Sequence, residues 1–101
     1  MKIETAKSVF IRHKESSYGT FLWNNLGDLT LTSDWGSFGY SWRAFGDDFE
    51  NFLIGTQPDY IISKLEQDFR VYTKRNVPKH VYQHLSTLFT EFQKALKESR
   101  S

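Results

Sequence analysis

The sequence predicts an α+β domain in which an N-terminal antiparallel β-meander of about four strands is packed by two short helices and one long C-terminal helix. Up to residue 46, short runs of β-branched and aromatic residues alternate with turn residues. After Gly46 the spacing of apolar residues changes from two to about 3.6, the period of an α-helix. Strands followed by helices favour an antiparallel sheet covered on one face and argue against a parallel βαβ fold.

The length of the chain fits one domain. With 101 residues, it lies in the size range that supports a single hydrophobic core. We expect the sheet to occupy residues 1–46 and the helices residues 47–101. Aromatic residues make up 17% of the chain, and because each of them buries a large apolar area, we expect a largely aromatic core.

Four runs of strand-forming residues are separated by segments with turn chemistry. Residues 15–19 and 33–36 contain Ser and Gly and are expected to turn the chain, and residues 24–28, with Asn-Asn and Gly-Asp, are typical of a hairpin connection. Such short connections indicate an antiparallel meander. The predicted strands are 2 to about 13, 20–23, 29–32 and 37–43.

Three large aromatic residues, Phe38, Tyr40 and Trp42, fall on one face of the fourth predicted strand. Aromatic side chains on a sheet can stack against bases, as in RNA-recognition domains, but Gly36 and Ser37 depart from the central-strand motif of those domains. The helices must cover one face of the sheet, and these rings are the best residues to meet them. We therefore expect them in the core.

The first two helices are predicted to follow each other closely. Asp47 or Asp48 suits the N-cap of the first, and Gly55 is expected to be the left-handed residue that ends it. The second begins at Pro58 and is expected to end near residues 69–72. Their apolar stripes are Phe49, Phe52 and Leu53 in the first, and Ile61, Ile62 and Leu65 in the second.

The long helix is predicted from about residue 78 to 97, after a polar link at 73–76. Pro78 fits its first turn. One hypothesis is that its apolar stripe is a seam for self-association, which would make this a structural or oligomerising protein; coverage of the sheet is the favoured interpretation in so small a domain. The stripe consists of Val81, Leu85, Leu88, Phe92 and Ala95, at spacings of four, three, four and three.

The charges are unevenly distributed although the net charge is +1. Residues 47–68 carry one basic and six acidic side chains, whereas residues 69–101 carry seven basic and two acidic ones. A general affinity for nucleic acid does not follow from so small a net charge. The acidic and the basic segment are therefore the two candidate surfaces.

The composition also bears on compartment and cofactors. The chain has no cysteine, which excludes disulfides, thiolate metal sites and cysteine nucleophiles. Its first residues carry charge where a signal peptide requires an apolar run, and no stretch approaches the roughly 20 apolar residues that span a bilayer. We expect a cytoplasmic protein that uses no cofactor and no membrane.

Catalytic motifs are absent from the sequence. It contains no Gly-x-Ser-x-Gly elbow, no Ser-x-x-Lys and no phosphate-binding glycine loop. Asp34, Asp47 and Asp48 could supply paired carboxylates for acid–base chemistry. Asp is also favoured in turns and at helix starts, which explains their positions more simply. The sequence therefore predicts a protein that is not an enzyme.

A histidine pair, His80 and His84, lies four residues apart on the predicted long helix. Rings at this spacing can share one face and coordinate a metal. Two ligands do not complete a zinc site, and a third would have to come from His13 or from an acid such as Glu91. The favoured interpretation is an ordinary polar helix face with no metal.

Residues 27–42 contain Gly-Asp and Ser-Asp pairs and alternating aromatic residues, and Phe45-Gly46 and the Phe49, Phe52 and Leu53 stripe follow them. Over residues 20–66 this pattern resembles small uncharacterised proteins encoded by tailed bacteriophages. The resemblance carries over no catalytic residue. It implies that the protein is a phage accessory protein, and such proteins often inhibit host defences by binding to them, as anti-CRISPR proteins do.

We therefore expect a non-enzymatic phage accessory protein that binds and inhibits a host macromolecular complex, such as a bacterial defence system. The partner is expected to be a host protein or ribonucleoprotein complex in the cytoplasm of the bacterial host. An acidic surface could present phosphate-like charge to a basic groove on that partner. The residues predicted to contact it are Asp34, Trp35, Asp47, Asp48, Glu50 and Asp59.

The alternative is a small nucleic-acid-binding module that uses basic and aromatic residues. Basic side chains bind nucleic acid by neutralising phosphates. The same residues can form the solvated face of a helix, which is the more common arrangement. The predicted contacts of this alternative are Arg43, Arg70, Lys74, Arg75 and Lys79.

Overall fold

Four strands precede three helices in the computed structural model, which describes residues 5–14, 17–73 and 78–100, apart from the side chains of residues 14, 17 and 68–73. The antiparallel N-terminal sheet followed by helices confirms the predicted α+β fold. The strands are β1 (Ala6–Lys14), β2 (Ser17–Asn24), β3 (Asp28–Ser33) and β4 (Gly36–Ser41), and the helices are α1 (Phe49–Gly55), α2 (Pro58–Thr73) and α3 (Lys79–Ser99).

The sheet is a meander in the order β1-β2-β3-β4, with every neighbouring pair antiparallel. Phe21 pairs with Val9 on one side and with Leu31 on the other, and Leu31 pairs with Phe38. Because side chains alternate between the two faces of a strand, these residues form one apolar row across all four strands. This row is the sheet's contribution to the core.

The helices cover the face of the sheet that carries this row. The ring of Phe92 on α3 stacks on Phe21 at 4.4 Å between centroids and meets the edge of Trp23 at 5.0 Å. The prediction that three rings of this segment belong to the core is confirmed for Phe38 and Trp42, which are buried, whereas Tyr40 is only partly buried and packs against the core. The apolar stripes of the helices are buried with them: Phe49, Leu53, Ile61, Ile62, Leu65, Val81, Leu85, Leu88, Phe89, Phe92 and Leu96.

The end of α1 differs from the prediction. Gly55 does not have the positive φ of a left-handed cap, and the residue after it, Thr56, is extended. The side chain of Gln93 on α3 caps this end instead, because its amide donates to the carbonyls of Leu53 at 2.9 Å and Thr56 at 2.7 Å. A tertiary contact thus satisfies the carbonyls that end the helix.

The predicted turn at residues 15–19 is wrong in its second half. β2 begins at Ser17, so Tyr18 and Gly19 belong to the strand. Gly19 is needed there for close packing and not for a turn, because a Cβ atom on it would lie 2.7 Å from Cδ1 of Leu31. The fourth strand ends at Ser41, two residues before its predicted end. Residues 2–4 of the first predicted strand lie outside the described residues.

Candidate binding surface

The predicted partner-contacting residues lie near opposite ends of α3. The Trp35 ring, in the β3–β4 turn, contacts His80 at 5.4 Å and His84 at 5.6 Å between centroids. Asp48 pairs instead with Arg100, which directly follows the helix. Because a helix rises 1.5 Å per residue, His80 and Arg100 are about 30 Å apart along its axis. The six predicted residues therefore do not form one surface.

Asp48, one of the two predicted candidates, is the N-cap of α1. One of its oxygens accepts from the backbone N–H of Glu50 at 2.9 Å and of Asn51 at 3.3 Å. The guanidinium of Arg100 donates two hydrogen bonds to the Asp48 carboxylate, at 3.2 Å and 2.9 Å. The hydrogen bond from Arg100 is the main reason why the pKa of Asp48 is lowered to about 2.

Glu50 is a buried carboxylate. It accepts the indole N–H of Trp23 at 2.8 Å and the ammonium of Lys7 at 3.0 Å, and its other oxygen accepts from Arg100 at 3.2 Å. Burial raises the pKa of Glu50, but the hydrogen bonds from Trp23 and Lys7 and the positive charges outweigh it, so that the pKa is lowered overall. We call the five residues Lys7, Trp23, Asp48, Glu50 and Arg100 the ion network. Two of the predicted contact residues, Asp48 and Glu50, are therefore paired with other residues of the same domain.

The other three predicted acids, Asp34, Asp47 and Asp59, are exposed. Asp34 precedes Trp35 in the β3–β4 turn, and Asp47 precedes the N-cap of α1. Asp59 lies in the first turn of α2, where its backbone carbonyl accepts the hydroxyl of Tyr82 at 2.9 Å. Their carboxylates remain candidates for contact with a partner.

The predicted nucleic-acid contacts are only partly described. Arg43 is held at the β2–β3 turn, where it donates to the Leu26 carbonyl at 2.8 Å and to the Asp28 carboxylate at 3.2 Å. Lys79 is exposed at the first residue of α3. The side chain of Arg70 and the whole of Lys74 and Arg75 lie outside the described residues.

The two histidines of α3 lie against an aromatic ring. The imidazole of His84 stacks on Trp35 with an interplanar angle of 24°, and that of His80 meets the indole edge-on. Over the part of the chain that the structure describes, no group of three or more His, Cys, Asp or Glu residues could hold a metal ion. Neither His13 nor Glu91 therefore joins the pair to form such a group.

The helices leave one face of the sheet uncovered, and three large apolar side chains lie on it. Phe10 is 54% exposed, Tyr18 37% and Leu22 42%. Phe10 pairs with Thr20, so Tyr18 and Leu22 stand two residues to either side of its partner on β2. Diagonal neighbours of this kind are within reach of aromatic and long side chains. The Phe10 and Tyr18 rings lie 6.0 Å apart between centroids.

Arg12 completes this group. It pairs with Tyr18 across the two strands, and its guanidinium carbon lies 5.7 Å from the Phe10 centroid and 5.8 Å from the Tyr18 centroid. Both distances are typical of cation–π contacts. Among the described residues, no carboxylate forms an ion pair with Arg12. We call Phe10, Arg12, Tyr18 and Leu22 the open-face patch.

The rest of this open face is polar and has little charge. Asp28 is its acid among the described strand residues, and Arg43 pairs with it. The hydrogen bond from Ser41 is the main cause of the lowered pKa of Asp28. Asn24 and Gly39 also face outward. Hydroxyl side chains occupy the remaining outward positions of the central strands and of β4: Thr20, Thr30, Thr32, Ser37 and Ser41.

Sequence reasoning missed the open-face patch because it placed Tyr18 in a turn. A usable signal was present on β1, where Val9 and Ile11 alternate with Phe10 and Arg12. A strand with one buried face should alternate apolar with polar residues, and a phenylalanine at an outward position breaks that alternation. Phe10 therefore marks the outer face as unusual.

A cleft lies between β1 and α3. Its volume is about 570 Å³, and Val9, Trp23 and Leu96 are among its walls. Lys7 is its charged lining residue, and that ammonium already pairs with Glu50. The cleft therefore brings together no set of reactive groups within the described residues.

Comparison with known protein families gives a match over the whole chain. The whole chain, residues 1–101, is similar to the family Phage_phiTE_072, which is described as a phage family. No curated protein and no solved structure matches the chain. Among the described residues, none of the helices combines the length and the apolarity needed to cross a bilayer.

Proposed function

The chain belongs to this phage family, and from that premise we propose that it is a non-enzymatic accessory protein that inhibits a host complex by occupying one of its functional surfaces. Bacterial defence systems are the class of target that we propose. The observation that carries the proposal is the open-face patch. Exposed apolar groups that cluster on one face of a small protein are characteristic of interaction sites.

The composition of the open-face patch supports binding. Its two aromatic rings and its arginine belong to the residue types that are enriched at binding surfaces. Leu22 adds an exposed aliphatic side chain beside them. All four residues lie on two paired strands, so the sheet fixes their backbone positions before a partner binds, which lowers the cost of ordering the surface.

The test is a plaque assay on bacteria that carry an active defence system and express the protein. We expect the unsubstituted protein to raise the efficiency of plaque formation and Leu22→Glu to abolish that gain, because a carboxylate would lie in the binding surface. Leu26→Glu is the matched control, since Leu26 is 51% exposed in the β2–β3 turn, outside the patch. Equal activity of the two variants would contradict a role of the open face.

The acidic surface needs a different set of substitutions. Reversing Asp48 or Glu50 would break the ion network, so loss of binding in such a variant would report on the fold. Asp34→Lys, Asp47→Lys and Asp59→Lys change the exposed carboxylates alone. Loss of inhibition in these variants, with unchanged unfolding midpoints, would assign the contact to the acidic residues; full inhibition in all three would exclude them.

A further inference from the structure

We propose that the open-face patch binds single-stranded nucleic acid, with bases stacked on Phe10 and Tyr18 and a backbone phosphate held by Arg12. This inference rests on the proposed function, since it names the component of the host complex that the sheet contacts. It concerns residues that differ from the basic residues predicted from the sequence. The ligand class is defined by its chemistry, a flat aromatic base beside a negatively charged phosphate.

The two rings offer adjacent stacking platforms. Phe10 and Tyr18 lie on neighbouring strands, with centroids 6.0 Å apart and ring planes inclined by 37°. Both remain substantially exposed on a face that no helix covers. Proteins that bind single strands use exposed aromatic side chains on a sheet in this way, because every base has a face that can stack.

The charge of the patch complements a phosphate. Arg12 has no carboxylate partner among the described residues, whereas the acid on the same face, Asp28, is paired with Arg43. The cation–π contacts hold the guanidinium over both rings, at 5.7 Å from the Phe10 centroid and 5.8 Å from the Tyr18 centroid. The phosphate of a nucleotide whose base stacks on Phe10 or Tyr18 would therefore lie within reach of the Arg12 guanidinium.

The surroundings of the patch favour nucleic acid over a protein partner. Three exposed apolar side chains are a small core for a stable protein interface, which buries about 800 Å² on each partner. Beyond them the open face presents hydroxyl groups, such as those of Thr20 and Thr32 on the strands beside the rings. Hydroxyls can donate to phosphate oxygens and to base edges.

Fluorescence polarisation with labelled oligonucleotides tests the inference. The probes are oligothymidine and oligouridine of about 12 nucleotides, a length within the site sizes of single-strand binders, and a DNA duplex of the same length, in about 50 mM salt. We expect the single strands to bind more tightly than the duplex. The duplex is the internal control, because its bases are not available for stacking.

Variants of the patch separate stacking from general attraction. Phe10→Leu and Tyr18→Leu keep apolar volume but remove a ring, and each should weaken binding about tenfold, whereas Tyr18→Phe should bind normally. Arg12→Gln should weaken binding as well. It should also make the negative slope of log affinity against log salt shallower by about 0.7. Lys94→Gln, which removes an exposed lysine of α3, is the matched control and should leave binding unchanged.

Several results would overturn the inference. One is the absence of single-strand binding at low salt by protein with a normal circular dichroism spectrum. Another is binding that Phe10→Leu and Tyr18→Leu leave unchanged.

If Leu22→Glu abolishes inhibition in the plaque assay while neither oligonucleotide binds, the partner at this face is a protein and the proposed function stands alone. Patch-dependent binding of oligonucleotides without any inhibition would support the inference and refute the proposed function.

Discussion

The indole N–H of Trp23 donates to the carboxylate of Glu50 at 2.8 Å, and this bond connects the sheet to the first turn of α1. Both residues are buried. A buried carboxylate is tolerated only when charges and hydrogen bonds compensate its desolvation, and Lys7 and Arg100 supply those charges. The ion network therefore joins β1, β2, α1 and the end of α3.

The first prediction concerns the indole N–H of Trp23, which donates to Glu50. Trp23→Phe removes the N–H and leaves one buried oxygen of Glu50 with fewer partners, so we expect the free energy of unfolding to fall by about 2 kcal/mol. Urea denaturation measures this change. Trp35→Phe is the matched control, because Trp35 is 38% exposed and donates no hydrogen bond through its indole among the described contacts. Similar losses in the two variants would contradict the assigned role of the Trp23 bond.

The second prediction concerns the stability of the protein at acidic pH. The pKa of Asp48 is lowered from 3.8 to about 2 in the folded protein. The ionised form is therefore favoured by folding, and its contribution to stability is fully present above pH 4 or so and is lost as the pH falls towards about 2. The lowered pKa of Glu50 acts in the same direction.

Urea midpoints measured between neutral pH and about pH 2 should therefore decline more steeply in the unsubstituted protein than in Arg100→Gln, which removes the main cause of the Asp48 shift. Lys94→Gln breaks an exposed pair with Glu91 and should preserve the steep decline. Parallel curves for the unsubstituted protein and Arg100→Gln would show that this arginine does not hold the Asp48 carboxylate in solution.

Local patterns predicted the elements of the fold well. The change of period after Gly46 placed the boundary between sheet and helices, and the carboxylate of Asp48 was one of two candidates for the N-cap that it occupies. The stripe from Val81 to Phe92 is buried as predicted. These features depend on neighbours within a few residues, which is why a sequence reveals them.

The candidate site was harder to predict because it depends on contacts between distant residues. Glu50 lies in an acidic segment, and its burial follows from partners 27 and 50 residues away, Trp23 and Arg100. The Ser and Gly residues of 15–19 predict a turn that includes Tyr18, whereas packing against Leu31 explains Gly19. Strand pairing then placed Tyr18 beside Arg12 and created the patch.

The third prediction compares two glycines. Gly27 has a φ of 99°, and a Cβ atom on it would lie 2.0 Å from the carbonyl oxygen of Trp42. Gly27→Ala should therefore destabilise the protein by more than about 1 kcal/mol. Gly55→Ala is the matched control, because Gly55 is helical, has no atom near its Cβ position and should gain about 0.5 kcal/mol. Thermal unfolding distinguishes them, and a stable Gly27→Ala variant would contradict the described β2–β3 turn.

The fourth prediction tests how α1 ends. The Gln93 amide donates to the carbonyls of Leu53 and Thr56, and Gln93→Glu would replace this donor by a carboxylate that can only accept. We expect a loss of about 2 kcal/mol in unfolding free energy at neutral pH. The introduced carboxyl should have a raised pKa in the folded state, so the loss should shrink as the pH falls and the group gains a proton to donate.

Gln83→Glu makes the same chemical change at an exposed position of α3 and should shift stability by less than about 0.5 kcal/mol at any pH. Urea denaturation of both variants at neutral and at acidic pH provides the comparison. If Gln93→Glu were as stable as Gln83→Glu at neutral pH, the capping contact would not contribute to the fold. A loss at position 93 that persisted unchanged in acid would instead indicate a packing defect, because protonation restores a donor but not the original shape.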